Sequence, residues 1–102
     1  MEQYETDHYN LVRRAAPECM VLLKSDGKFP LSEPCRIAAF GGGVRHTIKG
    51  GGGSGDVNVR AYTNIEQGLK NAGFTISSGA WLDGYDQAAA AEAARHIEFV
   101  MK

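Results

Sequence analysis

Cysteine is nearly absent from this sequence, with only Cys19 and Cys35 among 102 residues. Two cysteines do not make a disulfide framework, so the expectation is reduced thiols in a cytoplasmic protein. An excess of one charge is missing too. Eleven basic and 12 acidic side chains leave a formal net charge of −1. Without a field of one sign, neither nucleic acid nor an anionic membrane is expected as a partner. No apolar run approaches the roughly 18 residues of a membrane span. The longest runs, such as Cys19 to Leu23, are strand-sized. Glu2, Glu5 and Asp7 stand where a secretory signal would carry positive charge, so no targeting segment is read. With 43% hydrophobic and 23% charged residues, the composition excludes wholesale disorder. One domain is expected over residues 1–102. A chain of this size buries about 60–65% of its unfolded surface, which allows a small core but not a large enclosed active site.

Glycine is what the chain has in excess, with 13 residues gathered mostly in one stretch. Around that stretch, the pattern predicts a helix over 7–16, with Asp7 as N-cap and Leu11, Val12, Ala15 and Ala16 on one face. Pro17 ends it. Met20 to Leu23 reads as a strand that stops at a Ser25–Lys28 turn. Arg36 to Phe40 reads as a second strand, buried on both faces. The segment 41–55 is a long Gly-rich loop, of the kind that is usually functional or disordered. A second helix is predicted over 62–72, with Ile65, Leu69 and Ala72 as its stripe and Gly73 as its C-cap. Phe74 to Ile76 is a third strand, and Ser77 to Asp83 a connection. A last helix is expected from about Asp86 to Met101, packing through Ala93, Ile97, Val100 and Met101. The fold class expected is α/β, with a small parallel or mixed sheet of about three strands flanked by helices. So thin a sheet leaves an edge open to another chain.

Several constellations carry possible chemistry. Gly50, Gly52 and Gly55 satisfy a dinucleotide pattern, and bare backbone N–H groups can approach a phosphate. Lys49 precedes the glycines, however, where a Walker loop needs its lysine after them, and no strand feeds directly into the run. The same run has the composition of a flexible spacer. Ser54 fails the nucleophile-elbow pattern because Asp56 occupies the second glycine position. His46 is a lone loop histidine. Glu92 and His96 lie four apart on a helix without a third ligand in view, so no metal is assigned. Cys19 and Cys35 read as core cysteines. Trp81, Asp83 and Tyr85 form an aromatic and acidic cluster that fits either loop packing or a sugar face, and Asp83 and Asp86 fit helix caps.

Taken in order, the segments resemble a known family. Arg14 to Gly27, with Pro30-Leu31 after it, is similar to the opening of the α/β-sandwich domain of family 3 glycoside hydrolases. There a helix ends in Ala-Glu, a strand reads Val-Leu-Leu-Lys-Asn, and Leu-Pro-Leu follows. Ser25 stands here for the usual Asn, and Phe29 for the usual Leu. Arg36 to Gly41 resembles the next family strand, Gly51 to Asn58 the family's glycine-rich loop, and Glu66 to Phe74 the helix and strand after it. The ordered set covers residues 8 to 85.

The resemblance implies part of a β-glucosidase-like retaining enzyme, which uses a carboxylate nucleophile and a carboxylic acid/base. In that family the nucleophile is an aspartate of a separate (β/α)8 barrel domain. Ser25-Asp26-Gly27 is not equivalent to its segment, and the acid/base does not map onto Glu66 or Glu92, so no catalytic residue is assigned. Gly52, Gly53, Ser54, Gly55 and Asp56 match the loop near the leaving-group side of the sugar pocket and are the candidate substrate-binding residues. No cofactor is expected. The expected partners are the barrel domain and a β-glucoside or oligosaccharide. The position of Met1, and an end halfway through the expected sandwich, imply the N-terminal piece of a member with that domain first. Such a piece is expected to be inactive alone and to self-associate. The alternatives are a free-standing α/β binding or assembly module that holds a sugar or phosphate in the Gly-rich loop, and a scaffold in which the glycine run is a spacer.

Overall fold

A computed structural model describes residues 1–102. The chain clusters into two compact units, Met1–Ser32 and Glu33–Lys102.

In the first unit, helix α1 spans Gln3–Ala15. It begins four residues earlier than the expected Asp7 cap. Glu2 occupies the N-cap, and its backbone N–H donates to Glu5 Oε2 at 2.7 Å, one arm of a capping box. Asp7 instead sits inside the helix, where its carboxylate accepts from Gln3 Nε2 at 2.9 Å. Arg13 and Arg14 lie in the last turn, where cations suit the helix dipole. Pro17 ends the α-helix as expected, through a 3₁₀ turn over Ala16–Cys19. Both cysteines are exposed, so neither is a core cysteine. Met20 to Leu23 is not a strand, because no neighbouring segment forms a ladder with it. Its apolar side chains lie in the open, Leu23 at 92% exposure. The Ser25–Lys28 turn is present. Gly27 has a φ of 93°, its N–H donates to Ser25 Oγ, and Lys28 N donates to Asp26 Oδ1, each at 3.1 Å. The side chains of short polar residues close this turn on its own backbone.

The second unit is a small β-α-β arrangement extended by a long helix. Strands β1 (Arg36–Ile37) and β2 (Thr75–Ile76) pair in parallel, with Arg36 opposite Thr75 and Ile37 opposite Ile76. Between them runs the glycine-rich loop and then α2 (Ile65–Asn71). The class is therefore α/β with a parallel sheet, as expected. The sheet has two strands, because Met20–Leu23 does not join it. The expectation that residues 36–40 are buried on both faces is also corrected. Ile37 and Ala39 are half-buried while Arg36, Ala38 and Phe40 are exposed, the period of two expected of a sheet covered on one face only.

Helix α2 starts at an Asn64 N-cap whose side chain accepts from Gln67 N at 2.7 Å. Ala72 rather than Gly73 is its C-cap, and Gly73 follows with a φ of 97°, a region that suits glycine. Helix α3 spans Gly79–Met101, so the expected connection over 77–83 is mostly helix. The early start has a local cause. Ser78 is buried, its hydroxyl donates to Ala39 O at 2.6 Å and accepts from Ala39 N at 2.8 Å. That hydroxyl extends the β1–β2 pairing beyond its last rung and fixes the point where the helix begins. Leu82 N then donates to Ser78 O at 3.0 Å. Asp83 and Asp86 consequently lie within α3 and are not caps.

The core is small. Leu82 and Val44 are its buried apolar residues. The expected packing face of α3 is exposed instead, with Ile97, Val100 and Met101 all open, because α3 packs through its first turns and then runs past the sheet. No helix is long and apolar enough to cross a membrane.

Candidate functional site: the glycine-rich loop and its base

The loop over 41–55 leaves the end of the β1 segment through Gly41, whose φ of 109° turns the chain out of extended geometry. A 3₁₀ turn over Gly42–Val44 follows, and Val44 is buried there. Gly42 lies against Tyr85 of α3. A Cβ at that position would stand 2.9 Å from the phenol oxygen, so only glycine fits without displacing the ring. Tyr85 stacks on Trp81, with ring centroids 5.5 Å apart, and Phe40 meets Trp81 edge-on at 5.1 Å. Trp81 and Tyr85 thus form an exposed aromatic pair on α3 with Phe40 beside it, while Asp83 turns to a different neighbour.

That neighbour is Arg45. Its Nε donates to Glu66 Oε2 at 2.5 Å, and its Nη1 donates to Asp83 Oδ1 at 2.6 Å and Asp86 Oδ2 at 3.1 Å. One guanidinium from the loop therefore bridges α2 and α3, using the two directions its planar fork offers. Three carboxylates around it raise the Arg45 pKa above its ordinary value, with Glu66 the largest cause. Lys70 Nζ on Glu66 Oε1 at 2.7 Å, together with Arg45, holds the Glu66 carboxyl below the usual range. His46 and then Arg45 do the same for Asp86. His46 Nε2 lies 2.9 Å from Asp86 Oδ1 and donates when that nitrogen is protonated. His46, read from the sequence as a lone loop histidine, is thus one partner of this cluster.

The backbone around Arg45 is tied as well. Arg45 O accepts from Asn64 Nδ2 at 3.1 Å. Thr47 Oγ1 donates to Gly43 O at 2.6 Å and accepts from Ile65 N at 3.1 Å, and Tyr62 OH donates to Thr47 O. Asn64 therefore both caps α2 and holds the loop base.

Beyond Thr47 the loop closes on itself. Lys49 Nζ donates to Asp56 Oδ1 at 3.0 Å and to Val57 O at 2.5 Å. A second 3₁₀ turn spans Gly53–Gly55, and Asp56 N donates to Gly53 O at 3.0 Å. Two positions require glycine. Gly53 has a φ of 68°, and a Cβ on Gly50 would meet Gly55 O at 2.5 Å. The candidate residues Gly52, Gly53, Ser54, Gly55 and Asp56 are thus contiguous and exposed at the tip of a closed loop. Lys49 preceding the glycines serves to close this loop, a role its place in the sequence does not reveal.

Other candidates separate. Glu92 pairs with Arg95 on α3 rather than with His96. No group of three or more His, Cys, Asp or Glu side chains is placed to hold a metal. Arg45 is the residue that sequence reading passes over. Its only local signal is a cation between two glycine clusters, and its three partners come from two distant helices.

Two curated proteins are similar to this chain. Beta-glucosidase A of Butyrivibrio fibrisolvens is 46% identical over 71 residues, which is 69% of this chain and 9% of that protein. Thermostable beta-glucosidase B of Acetivibrio thermocellus is 35% identical over 85 residues, 81% of this chain and 11% of that protein. The chain thus spans only about a tenth of the length of these relatives. The likeness to β-glucosidases read from the sequence is borne out over most of the chain. No family model matches, and no solved structure matches.

Proposed function

We propose that the chain is part of the α/β-sandwich domain of a family 3 glycoside hydrolase, a cytoplasmic retaining enzyme that cleaves terminal β-glycosidic bonds. The observation that carries the reading is the 46% identity to a β-glucosidase over a stretch that is 9% of it. Residues 1–102 belong to one sandwich domain in that enzyme, and a barrel domain elsewhere in the polypeptide supplies the aspartate nucleophile.

In this reading the loop tip, Gly52, Gly53, Ser54, Gly55 and Asp56, borders the leaving-group side of the sugar pocket. The geometry favours that role in three ways. The tip is exposed, its shape is set by Lys49 and Asp56, and its glycines let a ligand or the barrel backbone approach closely. Ser54 Oγ and the loop amides are hydrogen-bonding groups of the kind that sugar hydroxyls use.

In this reading the aspartate nucleophile that retaining hydrolysis needs lies outside residues 1–102. Purified residues 1–102 are expected to release no aryl aglycone from an aryl β-glucoside, and measurable turnover would overturn this. The coding sequence past Lys102 is a second test. A frame that continues into a barrel with an aspartate nucleophile is expected. A stop codon there turns the reading to a small binding module that holds its ligand in the same loop.

A further inference from the structure

The loop has two parts held in different ways. Its base, Gly42 to Thr47, is fastened to α2 and α3 by Arg45, His46 and Thr47. Its tip is closed locally by Lys49 and Asp56. A tip shaped by its own contacts still needs something to fix where it points. Arg45 is the side chain that reaches both helices at once.

We propose that Arg45 is the positioning residue of the glycine-rich loop. By joining α2 through Glu66 and α3 through Asp83 and Asp86, it fixes where Gly52–Asp56 is presented to a glycoside. The consequence for substrate rests on the functional reading above; the consequence for the loop does not. A lysine presents one compact ammonium, so Arg45→Lys retains fewer than the three contacts. Arg45→Met leaves Glu66, Asp83 and Asp86 without their shared cation, so the loop base loses its side-chain hold on both helices. Lys70 still neutralises Glu66, and His46 still faces Asp86, so both helices are expected to persist in the variant.

The test uses the full 102-residue chain. Ser54→Cys in a Cys19→Ser, Cys35→Ser background carries a fluorescent acceptor, and Trp81 is the only tryptophan and thus the donor. Time-resolved energy transfer reads the distribution of tip positions. A narrow distribution is expected with Arg45, a broad one with Arg45→Met and an intermediate one with Arg45→Lys. Amide exchange separates positioning from general loss of stability. The His46 amide, bonded to Gly42 O, is expected to lose about tenfold in protection while interior α3 amides change by less than about twofold. An unchanged distribution in Arg45→Met overturns the proposal. If circular dichroism shows Arg45→Met unfolded, the Asp83→Ala, Asp86→Ala chain replaces it, since this removes both α3 acceptors while the bond to Glu66 remains. Broadening there supports the proposal, and no broadening overturns it. Glucose titrated into the unlabelled chain, read at the Gly52–Gly55 amides, tests the functional reading separately. Broadening in Arg45→Met without any glucose response upholds the positioning role and removes the loop's sugar contact.

Discussion

Leu82 and Ser78 sit one turn apart at the start of α3 and do most to fix it. Leu82 is 2% exposed in a unit with few buried side chains. Leu82→Ala is expected to cost about 2–5 kcal/mol, read by urea unfolding through Trp81 fluorescence. Ser78→Ala removes the two hydrogen bonds to Ala39 and leaves a part-buried N–H and C=O with no partner there. About 1–3 kcal/mol is expected to be lost in the same assay. Neither role was legible in the sequence. Ser78 lies in a Ser-Ser-Gly stretch that reads as a connection, and its function as a sheet-extending hydroxyl requires Ala39, 39 residues away. Gly73 was legible, because a glycine after a helical stripe has a local cause that survives any tertiary context.

At the scale of elements, helix stops and turns were easier to read than helix starts and strands. The Ser25–Lys28 turn and the α2 stop depend on side chains acting on nearby backbone, and both formed as expected. Met20–Leu23 has the composition of a strand, but a strand needs a partner, which composition does not supply. The glycine-rich loop was legible as a loop and as a candidate site, whereas its closure by Lys49 and Asp56 was not. Gly50→Ala forces a Cβ to within 2.5 Å of Gly55 O, so this closure is expected to open. Backbone chemical shifts of residues 49–57 should move while those of α3 stay in place. Shifts unchanged across 49–57 would show that the loop is held otherwise. Asn64→Ala removes both the α2 cap and the bond to Arg45 O, and is expected to cost about 1 kcal/mol with increased exchange at Gln67 N.

At the scale of the whole molecule, the charge cluster makes stability depend on acid. Glu66 and Asp86 have carboxyls held below their ordinary values, so the folded chain binds protons less readily there than the unfolded chain does. Their stabilising contribution is complete above the unfolded values of about 4 and is lost as pH falls through the lower folded values. Acid titration followed by circular dichroism should show stability falling below about pH 4, with a shallower dependence in Arg45→Met. An equal slope in both chains would show that the cluster does not contribute. Uncovered apolar side chains on Met20–Leu23 and on the end of α3 give an expectation of self-association, which sedimentation at rising concentration tests. A monomer throughout would oppose it.

The sequence alone determined whatever acts over a few residues: the helical stretches, the turn at Gly27, the glycine after α2, and an ordered set of motifs that points to a β-glucosidase. Tertiary structure alone decided which extended segments pair, where α3 begins, and that Arg45 joins two helices. Local signals arise from a residue's own conformational preference and its near neighbours. Ladders and charge bridges are made between groups tens of residues apart, and they exist only once the chain has brought those groups within hydrogen-bond reach.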